Sequence, residues 1–539
     1  MNEFLNRLEN MVRAALSDIG IDDEVQLLTP PDRKMGDYSI SSAMKYAKVF
    51  KKSPMSIAQD IKGAIEKRSL DDDCGIGRIE TAVPGYVNLF ISDRCAIGMA
   101  LDIARSPADF FRFKHDKPRK ILLEFVSANP TGPLSIAHGR QAIVGDVMAD
   151  ILEFYGCTVQ REYYVNDEGR QITLFAESVA QRMHELNGKE CVIPQGGYEG
   201  EYLKDTARDL LAQNVDPDNL DAVREKAVAW NLENIRKTLS SAGIEYDSWI
   251  SQRRLQDEGG IQKAVDFLTE HGYTFEEEGA VWFESTKFGD DKDRVLVRSS
   301  GVFTYFAADV AYHLYKLERG FDTLIDLWGP DHHGYIKRVE SALESFSAGY
   351  HDYDFKVIII QLVKLKNQKM SKRKGTMILL DDLISAVGRD AVRFYYILRR
   401  NSSHLDFDVE LATAKRSDNP LFYVQYAHAR IASVLERAGG CAAVSSLNDL
   451  SSEGEFMMIK KLLDFHMAVR LAAQQREPYV IADYLRSLAA DFHKFYESHR
   501  IIDDENKNTT QARLALISLI KDVLKVGLDL LGVDAPLKM

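Results

Sequence analysis

The sequence predicts an α/β nucleotide-binding core, with a small α+β domain before it and an all-α domain after it. The main observation is the stretch 121–152, where an apolar run of strand length meets a loop with two prolines and a glycine, and then a helical apolar pattern. A second strand–turn–helix pattern occupies 294–339, and from residue 409 onward the apolar spacing is helical. In α/β proteins the loop after such a strand is where ligands bind.

The bulk composition limits the class of protein. The 539 residues suggest about three domains, and 45% hydrophobic residues are enough for packed cores. We expect no transmembrane helix, because no apolar run reaches about 18 residues, and no signal peptide. Five scattered cysteines with no C-x-x-C pair disfavour disulfides and cysteine-ligated zinc, and favour a reducing cytoplasm. The net charge of −13 weakly disfavours a nucleic-acid partner but permits a local basic surface.

Residues 1–115 are predicted to be a separate α+β domain. The apolar spacing predicts a helix over 4–19, two further helices broken at Ser53–Pro54, and one or two strands within 77–92. Nothing in this pattern requires a ligand, and a plain packing domain explains it about equally well.

The core is predicted over 116–408, with an insertion at about 185–280. Its first strand, Ile121–Val126, carries a single charge, Glu124, and the helix after the loop begins at about Ser135. The polar and turn-forming groups of the loop are Ser127, Asn129, Pro130 and Gly132. His138 and Gly139 lie in the first helical turn, where backbone N–H groups face anions and an imidazole can donate to a phosphate oxygen.

The second half of the core offers a carboxylate beside an aromatic ring. Tyr305 and Asp309 are four residues apart, so they share one face at the start of a predicted helix. A guanidinium is planar and permanently charged, and it pairs with a carboxylate through two parallel hydrogen bonds. Taken alone, Asp309 is better explained as an acid that stabilises a helix N-terminus.

Two further segments of the core are polar. Asp331, His332 and His333 follow the strand Thr323–Trp328, but adjacent histidines make a poor chelate and no third ligand is spaced to help, so we expect no metal site. Between strands predicted at 358–365 and 377–380 lies the loop 369–375, rich in lysine and arginine, which is either a solvated basic loop or a site for an anion.

These motifs together resemble the class I aminoacyl-tRNA synthetases. The string E-x-x-S-A-N-P-T-G-P-L-x-x-x-H-G-R resembles the ATP-binding motif of one family, the arginyl-tRNA synthetases, and the loop 369–375 resembles the second signature of the class, downstream in the expected order. The family motif usually reads His-x-Gly-His, whereas this chain has Ser135 in place of the first histidine. The resemblance covers the whole chain and is weakest over about 185–280. It implies a Rossmann-like catalytic core.

The resemblance also implies a reaction and a set of site residues. The reaction is the ATP-dependent ligation of L-arginine to the 3′ end of tRNA(Arg), with magnesium on ATP and with tRNA present even for the first step. The implied catalytic residues are His138, Lys369 and Lys372. The implied ATP-binding residues are Pro130, Gly132, Ser135, His138, Gly139, Asp331, His332, Lys369, Met370, Ser371 and Lys372. The implied arginine-binding residues are Glu124, Ser127, Asn129, Tyr305 and Asp309.

The flanking domains resemble the family's tRNA-binding domains. The segment 409–539 is predicted to be a helical anticodon-binding domain, although most of its apolar residues must be core. The implied tRNA contacts are Tyr86 and Asn88 near the N-terminus and Tyr423, Arg430, Tyr496 and Met539 near the C-terminus. Aromatic, amide and arginine side chains suit stacking on bases and contact with base edges or phosphates. We expect a cytoplasmic monomer.

Three alternatives remain open. A different class I synthetase would keep both ATP motifs but lack the arginine and anticodon strings, and a small nucleotidyltransferase would be much shorter. A non-catalytic RNA-binding relative would tolerate Ser135 but would have no reason to keep Lys369 and Lys372. Because a serine hydroxyl can still donate a hydrogen bond, we expect Ser135→His to leave activity unchanged or higher, and Lys372→Ala to slow adenylate formation.

Overall fold

The chain forms two compact units. The computed structural model describes residues 1–30, 32–69, 75–350, 352–366 and 378–539. Unit 1 comprises 1–114, 415–476 and 480–539, and unit 2 comprises 115–414 and 477–479. The first and third predicted segments therefore share one unit, and the division into three domains stays a prediction.

The N-terminal half of unit 1 is an antiparallel sheet covered by helices. Its described elements are α1 (Asn2–Asp18), β1 (Tyr38–Ile40), α2 (Ser42–Phe50), α3 (Pro54–Ser69), β2 (Ile76–Ala82), β3 (Tyr86–Ile91), α4 (Asp93–Arg105) and α5 (Pro107–Phe111). The strand order is β1-β3-β2. The predicted break at Ser53–Pro54 is confirmed, because proline fits the first turn of a helix but not its interior.

Unit 2 alternates strands and helices, as the sequence predicts for the core. Its described elements are β4 (Lys120–Phe125), α6 (Ile136–Phe154), β5 (Thr158–Val165), α7 (Arg170–Leu186), α8 (Tyr202–Ala212), α9 (Leu220–Ser241), β6 (Ser248–Ser251), α10 (Gln252–Asp257), α11 (Gly260–Glu270), β7 (Thr274–Glu277), β8 (Ala280–Phe283), β9 (Arg294–Val297), α12 (Tyr305–Glu318), β10 (Thr323–Trp328), α13 (Ile336–Phe346), β11 (Asp354–Ile359), β12 (Val363–Leu365), α14 (Leu380–Val387), α15 (Arg389–Tyr396), β13 (Leu405–Phe407) and α16 (Val409–Thr413).

A five-stranded parallel sheet lies at the centre of unit 2. Its order is β11-β10-β4-β5-β6, so β4 is the middle strand and the chain proceeds from it first to one side and later to the other. Strands buried on both faces are continuous apolar runs, which explains the sequence of β4. The reversal of strand order beside β4 is a topological switch point, the usual place for a ligand in such sheets.

Among the described residues of unit 2, two hydrophobic clusters are prominent. One packs residues of α11, α12 and α13 with residues of β4, β5 and β10. The second joins α7 with α8 and α9, two helices of the stretch predicted as an insertion. Within the same stretch, β6 is the edge strand of the parallel sheet.

The C-terminal half of unit 1 is helical, as predicted. Its described helices are α17 (Pro420–Arg437), α18 (Glu453–Gln475), α19 (Tyr479–Ser498) and α20 (Lys507–Leu530). Partly buried ion pairs join them to the N-terminal half of the unit, because Arg33 pairs with Asp464 and Arg470 pairs with Glu9. None of the described helices is long and apolar enough to cross a bilayer.

One strand prediction is wrong. The sequence predicts a strand at 377–380, but among the described residues of this run Leu380 begins α14, and Leu379 forms only a single antiparallel bridge to Ser135. Residue 377 lies outside the described residues. Asp381 and Asp382 lie in the first helical turn, where acids stabilise the helix dipole. The local charge pattern therefore outweighs the apolar run.

Candidate functional site

The first turn of α6 is fixed by a reciprocal capping box. Ser135 is the N-cap residue, and its Oγ accepts a hydrogen bond from the backbone N–H of His138 at 3.3 Å. The Ser135 backbone N–H donates in return to His138 Nδ1 at 3.2 Å. Because Nδ1 acts as an acceptor, the imidazole proton resides on Nε2.

The protonation of His138 follows from the same surroundings. Burial lowers the pKa of His138 below its usual value, and the carboxylate of Asp331 opposes that shift only in part. The imidazole is therefore neutral near pH 7. Asp331 belongs to the short 3-10 helix over Pro330–Tyr335 that follows β10, so the structure brings two of the predicted ATP-binding residues together.

Gly139, in the first turn of α6, packs closely against Leu380. A Cβ atom on Gly139 would lie 2.5 Å from Leu380 Cδ1, so only glycine fits against the start of α14. Its neighbour Arg140 is fully buried and donates to the carbonyl oxygens of Gln361 (2.8 Å), Ser403 (2.7 Å) and Arg400 (3.0 Å). Sequence reasoning did not identify Arg140, although it stands inside the quoted motif.

Two backbone hydrogen bonds join the first ATP motif to the segment after the basic loop. Ile136 N–H donates to the Ile378 carbonyl at 3.1 Å, and Leu380 N–H donates to the Leu134 carbonyl at 2.9 Å. The predicted residues Lys369, Met370, Ser371 and Lys372 lie outside the described residues. The described chain resumes at Ile378, beside the N-terminus of α6.

The loop between β4 and α6 is held by helices of the stretch predicted as an insertion. Tyr202 on α8 donates through Oη to the Thr131 carbonyl at 2.6 Å, and Asn231 on α9 donates to the Pro130 carbonyl at 3.1 Å. A Cβ atom on Gly132 would lie 3.2 Å from Tyr202 Oη. The predicted residues Pro130 and Gly132 are thus part of a braced loop rather than a free one.

Glu124 lies in a buried network of charges. Its Oε1 accepts from Ser127 Oγ at 2.8 Å, and its Oε2 accepts from Lys316 Nζ at 2.5 Å. Lys316 is fully buried and also donates to Asp326 at 2.7 Å. Burial raises the pKa of Glu124 and the ammonium of Lys316 opposes the rise. Lys316 was missed from the sequence because a lysine on an α-helix is usually exposed.

The remaining polar residues predicted for arginine lie around the carboxyl ends of β4 and β5. Asn129 Nδ2 donates to Gln171 Oε1 at 2.6 Å. Tyr305 is 56% exposed, and its hydroxyl accepts from the backbone N–H of Arg170 at 3.4 Å. Tyr305 is therefore open to solvent, whereas Glu124 on β4 is only 7% exposed.

Asp309, one turn along α12 from Tyr305, is half-buried. Tyr335, the last residue of the 3-10 turn that carries Asp331, donates its hydroxyl to Asp309 Oδ2. Burial raises the pKa of Asp309, and the hydrogen bond from Tyr335 opposes the rise. His332 is exposed beside Asp331, with its Nε2 3.3 Å from Asp331 Oδ2. The short 3-10 helix Pro330–Tyr335 thus connects the residues predicted to bind ATP with the carboxylate predicted to bind arginine.

Unit 1 carries the residues predicted to contact tRNA in two places. On β3, Tyr86 is half-buried, whereas Asn88 is only 5% exposed and its Oδ1 accepts from Ser39 Oγ at 2.8 Å. Of the Asn88 amide, the nitrogen is thus the group that could face a nucleotide. The role of both residues stays a prediction.

An aromatic cluster on α17 and α19 gathers the other tRNA predictions. The Arg430 guanidinium lies 4.5 Å from the centre of the Tyr496 ring, and the Tyr423 ring lies 4.7 Å from that of His493. The terminal Met539 is 55% exposed. Sequence reasoning missed His493 and the exposed Tyr426, although Tyr423, Tyr426 and Arg430 recur at helical spacing and that signal was available.

Comparison with known proteins identifies the domains. Residues 6–91 match the arginyl tRNA synthetase N-terminal domain, residues 108–402 match the catalytic domain of class I (R) tRNA synthetases, and residues 424–539 match the DALR anticodon-binding domain.

Full-length relatives agree with the domain matches. The arginine–tRNA ligase of Listeria monocytogenes serotype 4b is 40% identical over 99% of this chain and 98% of its own length, and that of Bacillus subtilis is 39% identical over the same shares. A putative arginyl-tRNA synthetase structure from Campylobacter jejuni has a TM-score of 0.77 at 33% identity, covering 83% of this chain and all of the other. The Thermus thermophilus arginyl-tRNA synthetase has a TM-score of 0.79 at 24% identity over 99% of this chain and all of its own, which shows a shared fold.

Proposed function

The chain belongs to the class I arginyl-tRNA synthetase family, and we infer that it joins L-arginine to the 3′ end of tRNA(Arg) at the expense of ATP, releasing AMP and pyrophosphate. The observation that supports this most directly is the capping box, which holds the His138 Nε2–H donor at the N-terminus of α6, beside the switch point of the sheet. A helix N-terminus with a neutral donor suits the charge that develops on transferred phosphate oxygens.

The first step is the attack of the arginine carboxylate on the α-phosphorus of ATP. The bond to pyrophosphate breaks as the bond to the carboxylate oxygen forms, and an arginyl-adenylate results. We propose that His138 donates from Nε2 to a phosphate oxygen, and that Lys369 and Lys372 stabilise the charge on the departing pyrophosphate. Positioning and charge stabilisation supply the catalysis in reactions of this kind.

Ser135 acts in this step through His138. Its Oγ fixes the N–H of His138 at the start of the helix, while its own N–H fixes the tautomer of the ring. We propose that serine replaces the usual first histidine as a positioning residue. Asp331, His332, Pro130, Gly132 and Gly139 would shape the space for ATP around the same helix end.

In the second step the terminal ribose hydroxyl of the tRNA attacks the carbonyl carbon of the adenylate. The ester forms, AMP leaves with the bonding electrons, and the hydroxyl proton passes to the phosphate or solvent.

For arginine, we propose that Asp309 pairs with the guanidinium and that the rest of the pocket is lined by Tyr305, Asn129, Ser127 and Glu124. A carboxylate in this place favours arginine over lysine, whose ammonium is a point charge.

In unit 1 the proposed tRNA contacts are of two kinds. Tyr86 and Asn88 would meet one part of the tRNA, and the cluster of Tyr423, Arg430 and Tyr496, with Met539, would meet the anticodon. Exposed rings next to an arginine suit stacking on unpaired bases. We also propose that magnesium accompanies ATP and that the protein works as a monomer in the cytoplasm; light scattering of the purified chain tests the monomer.

The test of the function is charging of total tRNA with labelled arginine by the purified chain, with ATP and magnesium, against parallel reactions with lysine and glutamine. We expect charging with arginine alone. Charging with another amino acid would contradict the substrate assignment, and tRNA binding without charging would favour a non-catalytic relative.

The role of the second motif has its own test. We expect Lys372→Ala to lower the rate of ATP–pyrophosphate exchange, measured with tRNA present. The matched control is Lys366→Ala, because Lys366 is an exposed lysine that pairs with Asp408 at 3.1 Å and precedes the loop by three residues. Intact exchange in Lys372→Ala would contradict the assigned role.

A further inference from the structure

Tyr164, near the carboxyl end of β5, has a hydroxyl group with no partner. The side chain is 8% exposed, and among the described residues no donor or acceptor lies within hydrogen-bond distance of its Oη. An unsatisfied buried hydroxyl is unfavourable, and folded proteins pair the great majority of such groups. Its presence calls for a ligand or another explanation.

The Tyr164 ring is held firmly in place. It stacks on the ring of Tyr312 with centres 4.2 Å apart and planes 25° apart. The Tyr164 backbone N–H donates to Ser127 Oγ at 3.0 Å, and Ser127 in turn donates to Glu124. Tyr312 therefore holds the ring, and the backbone is held by Ser127, which also contacts Glu124 in the proposed arginine pocket.

The surroundings of the hydroxyl are acidic. Burial raises the pKa of Tyr164 well above its usual value, and the carboxylates of Asp309, Glu124 and Asp167 raise it further. The phenol therefore stays neutral, so its oxygen can accept a hydrogen bond. A cation is the species that a group of carboxylates around a neutral acceptor would attract.

We propose that Tyr164 is a specificity-determining residue of the arginine pocket, and that its hydroxyl oxygen accepts one guanidinium N–H. This inference rests on the proposed assignment of Asp309 to the guanidinium. A guanidinium has five N–H donors in a fixed plane, and one carboxylate pairs with two of them. Glu124 has one oxygen engaged by Lys316 and the other by Ser127, so it has less acceptor capacity left for the remaining guanidinium N–H groups.

The test compares Tyr164→Phe with wild type by calorimetric titration of L-arginine and by steady-state charging. We expect the Kd and the KM for arginine to rise about 10- to 100-fold, as for a lost hydrogen bond to a charged group. The KM for ATP should stay the same. Without arginine, the Tm of the variant should equal or exceed that of wild type, because the substitution removes an unsatisfied group.

The matched control is Tyr396→Phe. Tyr396 is fully buried, and its hydroxyl likewise has no partner among the described residues, but it packs against Gly139 and Phe407 instead of the carboxylates. Both variants lose an unpaired hydroxyl, so their Tm values should change alike. Only Tyr164→Phe should weaken arginine binding.

Two results would overturn the proposal: unchanged arginine affinity in Tyr164→Phe, or an equal rise of both KM values with a lower Tm, which indicates a structural role. Failure of the proposed function gives a different result. A wild-type chain that binds arginine without charging tRNA contradicts the function, while the affinities of the two variants still decide the role of Tyr164. A wild-type chain that does not bind arginine contradicts both.

Discussion

Two helices of this protein begin with the same hydrogen-bonded motif, one in each unit. At α18, Ser452 Oγ accepts from the N–H of Glu455, whose Oε2 accepts from the N–H groups of Ser452 and Ser451, both at 2.9 Å. At α6, Ser135 plays the part of the serine, but histidine stands where α18 has glutamate. Glutamate is the usual residue at this third position.

The residue at this third position distinguishes a cap that only stabilises its helix from a cap that also presents a functional group. Glu455 is 2% exposed, and its Oε1 also accepts from Arg513 Nε at 2.7 Å, so both of its oxygens are used inside the fold. His138 satisfies the same cap with Nδ1 and keeps an N–H on Nε2 for something else. A ring with two nitrogens can therefore cap a helix N-terminus and still present a donor to an anion.

The largest effect should come from making the two caps alike. His138→Glu should keep the capping box and leave the free energy of unfolding unchanged or higher by up to about 1 kcal/mol, because an acid suits a helix N-terminus. Adenylate formation should fall by at least about 10³-fold, since a donor is replaced by a negative charge. ATP–pyrophosphate exchange with tRNA present, together with a thermal melt, measures both. An active His138→Glu variant would show that the ring does not face phosphate.

A second variant tests the cap of α18. Glu455→Ala should lower the free energy of unfolding by about 3–5 kcal/mol, because it leaves the largely buried Arg513 guanidinium without its carboxylate. The KM values for arginine and ATP of the folded fraction should not change. Urea unfolding measures the loss, with Glu455→Gln as the milder control. Should exchange activity fall as steeply as after His138→Glu, the distinction between the two caps would be lost.

The caps should also differ in their dependence on pH. His138 has a lowered pKa, so the unfolded chain binds its proton first and stability decreases as pH falls below about 6.5. Burial tends to raise the pKa of Glu455, but the N–H groups of Ser451 and Ser452 and the Arg513 guanidinium hold it below its usual value. Its contribution to stability is therefore present above about pH 4.3 and is lost in more acidic solution.

Two variants distinguish these two pH ranges. His138→Gln cannot titrate, so it should flatten the change in Tm near pH 6.5 and leave the change in Tm below about pH 4.3 as in wild type. Glu455→Gln should flatten the change below about pH 4.3 and leave the one near pH 6.5 as in wild type. A His138→Gln variant with the wild-type slope near pH 6.5 would indicate that folding does not change the pKa of His138.

The smallest effects should come from the serines. Ser135→Ala and Ser452→Ala should each lower the free energy of unfolding by about 0.5–2 kcal/mol, the usual worth of an N-cap. Only Ser135→Ala should also slow pyrophosphate exchange, with recovery in Ser135→Thr. Equal activity in the two alanine variants would mean that Ser135 stabilises α6 without positioning His138.

The sequence predicted the core of the site better than its supports. The strand, loop and helix around His138 were identified because apolar periodicity and two prolines leave few other structures. Lys316 was not, since its burial depends on Glu124 and Asp326, which converge only when two distant strands pair. Tyr202 and Asn231 lie in a stretch without a motif, and only the fold shows that they brace the loop.

Unit 1 is discontinuous along the chain, and this has a consequence for its synthesis. Arg33 and its partner Asp464 are separated in sequence by the segment 115–414, which forms most of unit 2. The same segment separates Glu9 from Arg470. At roughly 5–20 residues per second, a ribosome needs about 15–60 s to add that intervening segment. During this time the N-terminal half has emerged without its helical partner and without Asp464 and Arg470, which makes it a natural client for chaperones and a target for proteases.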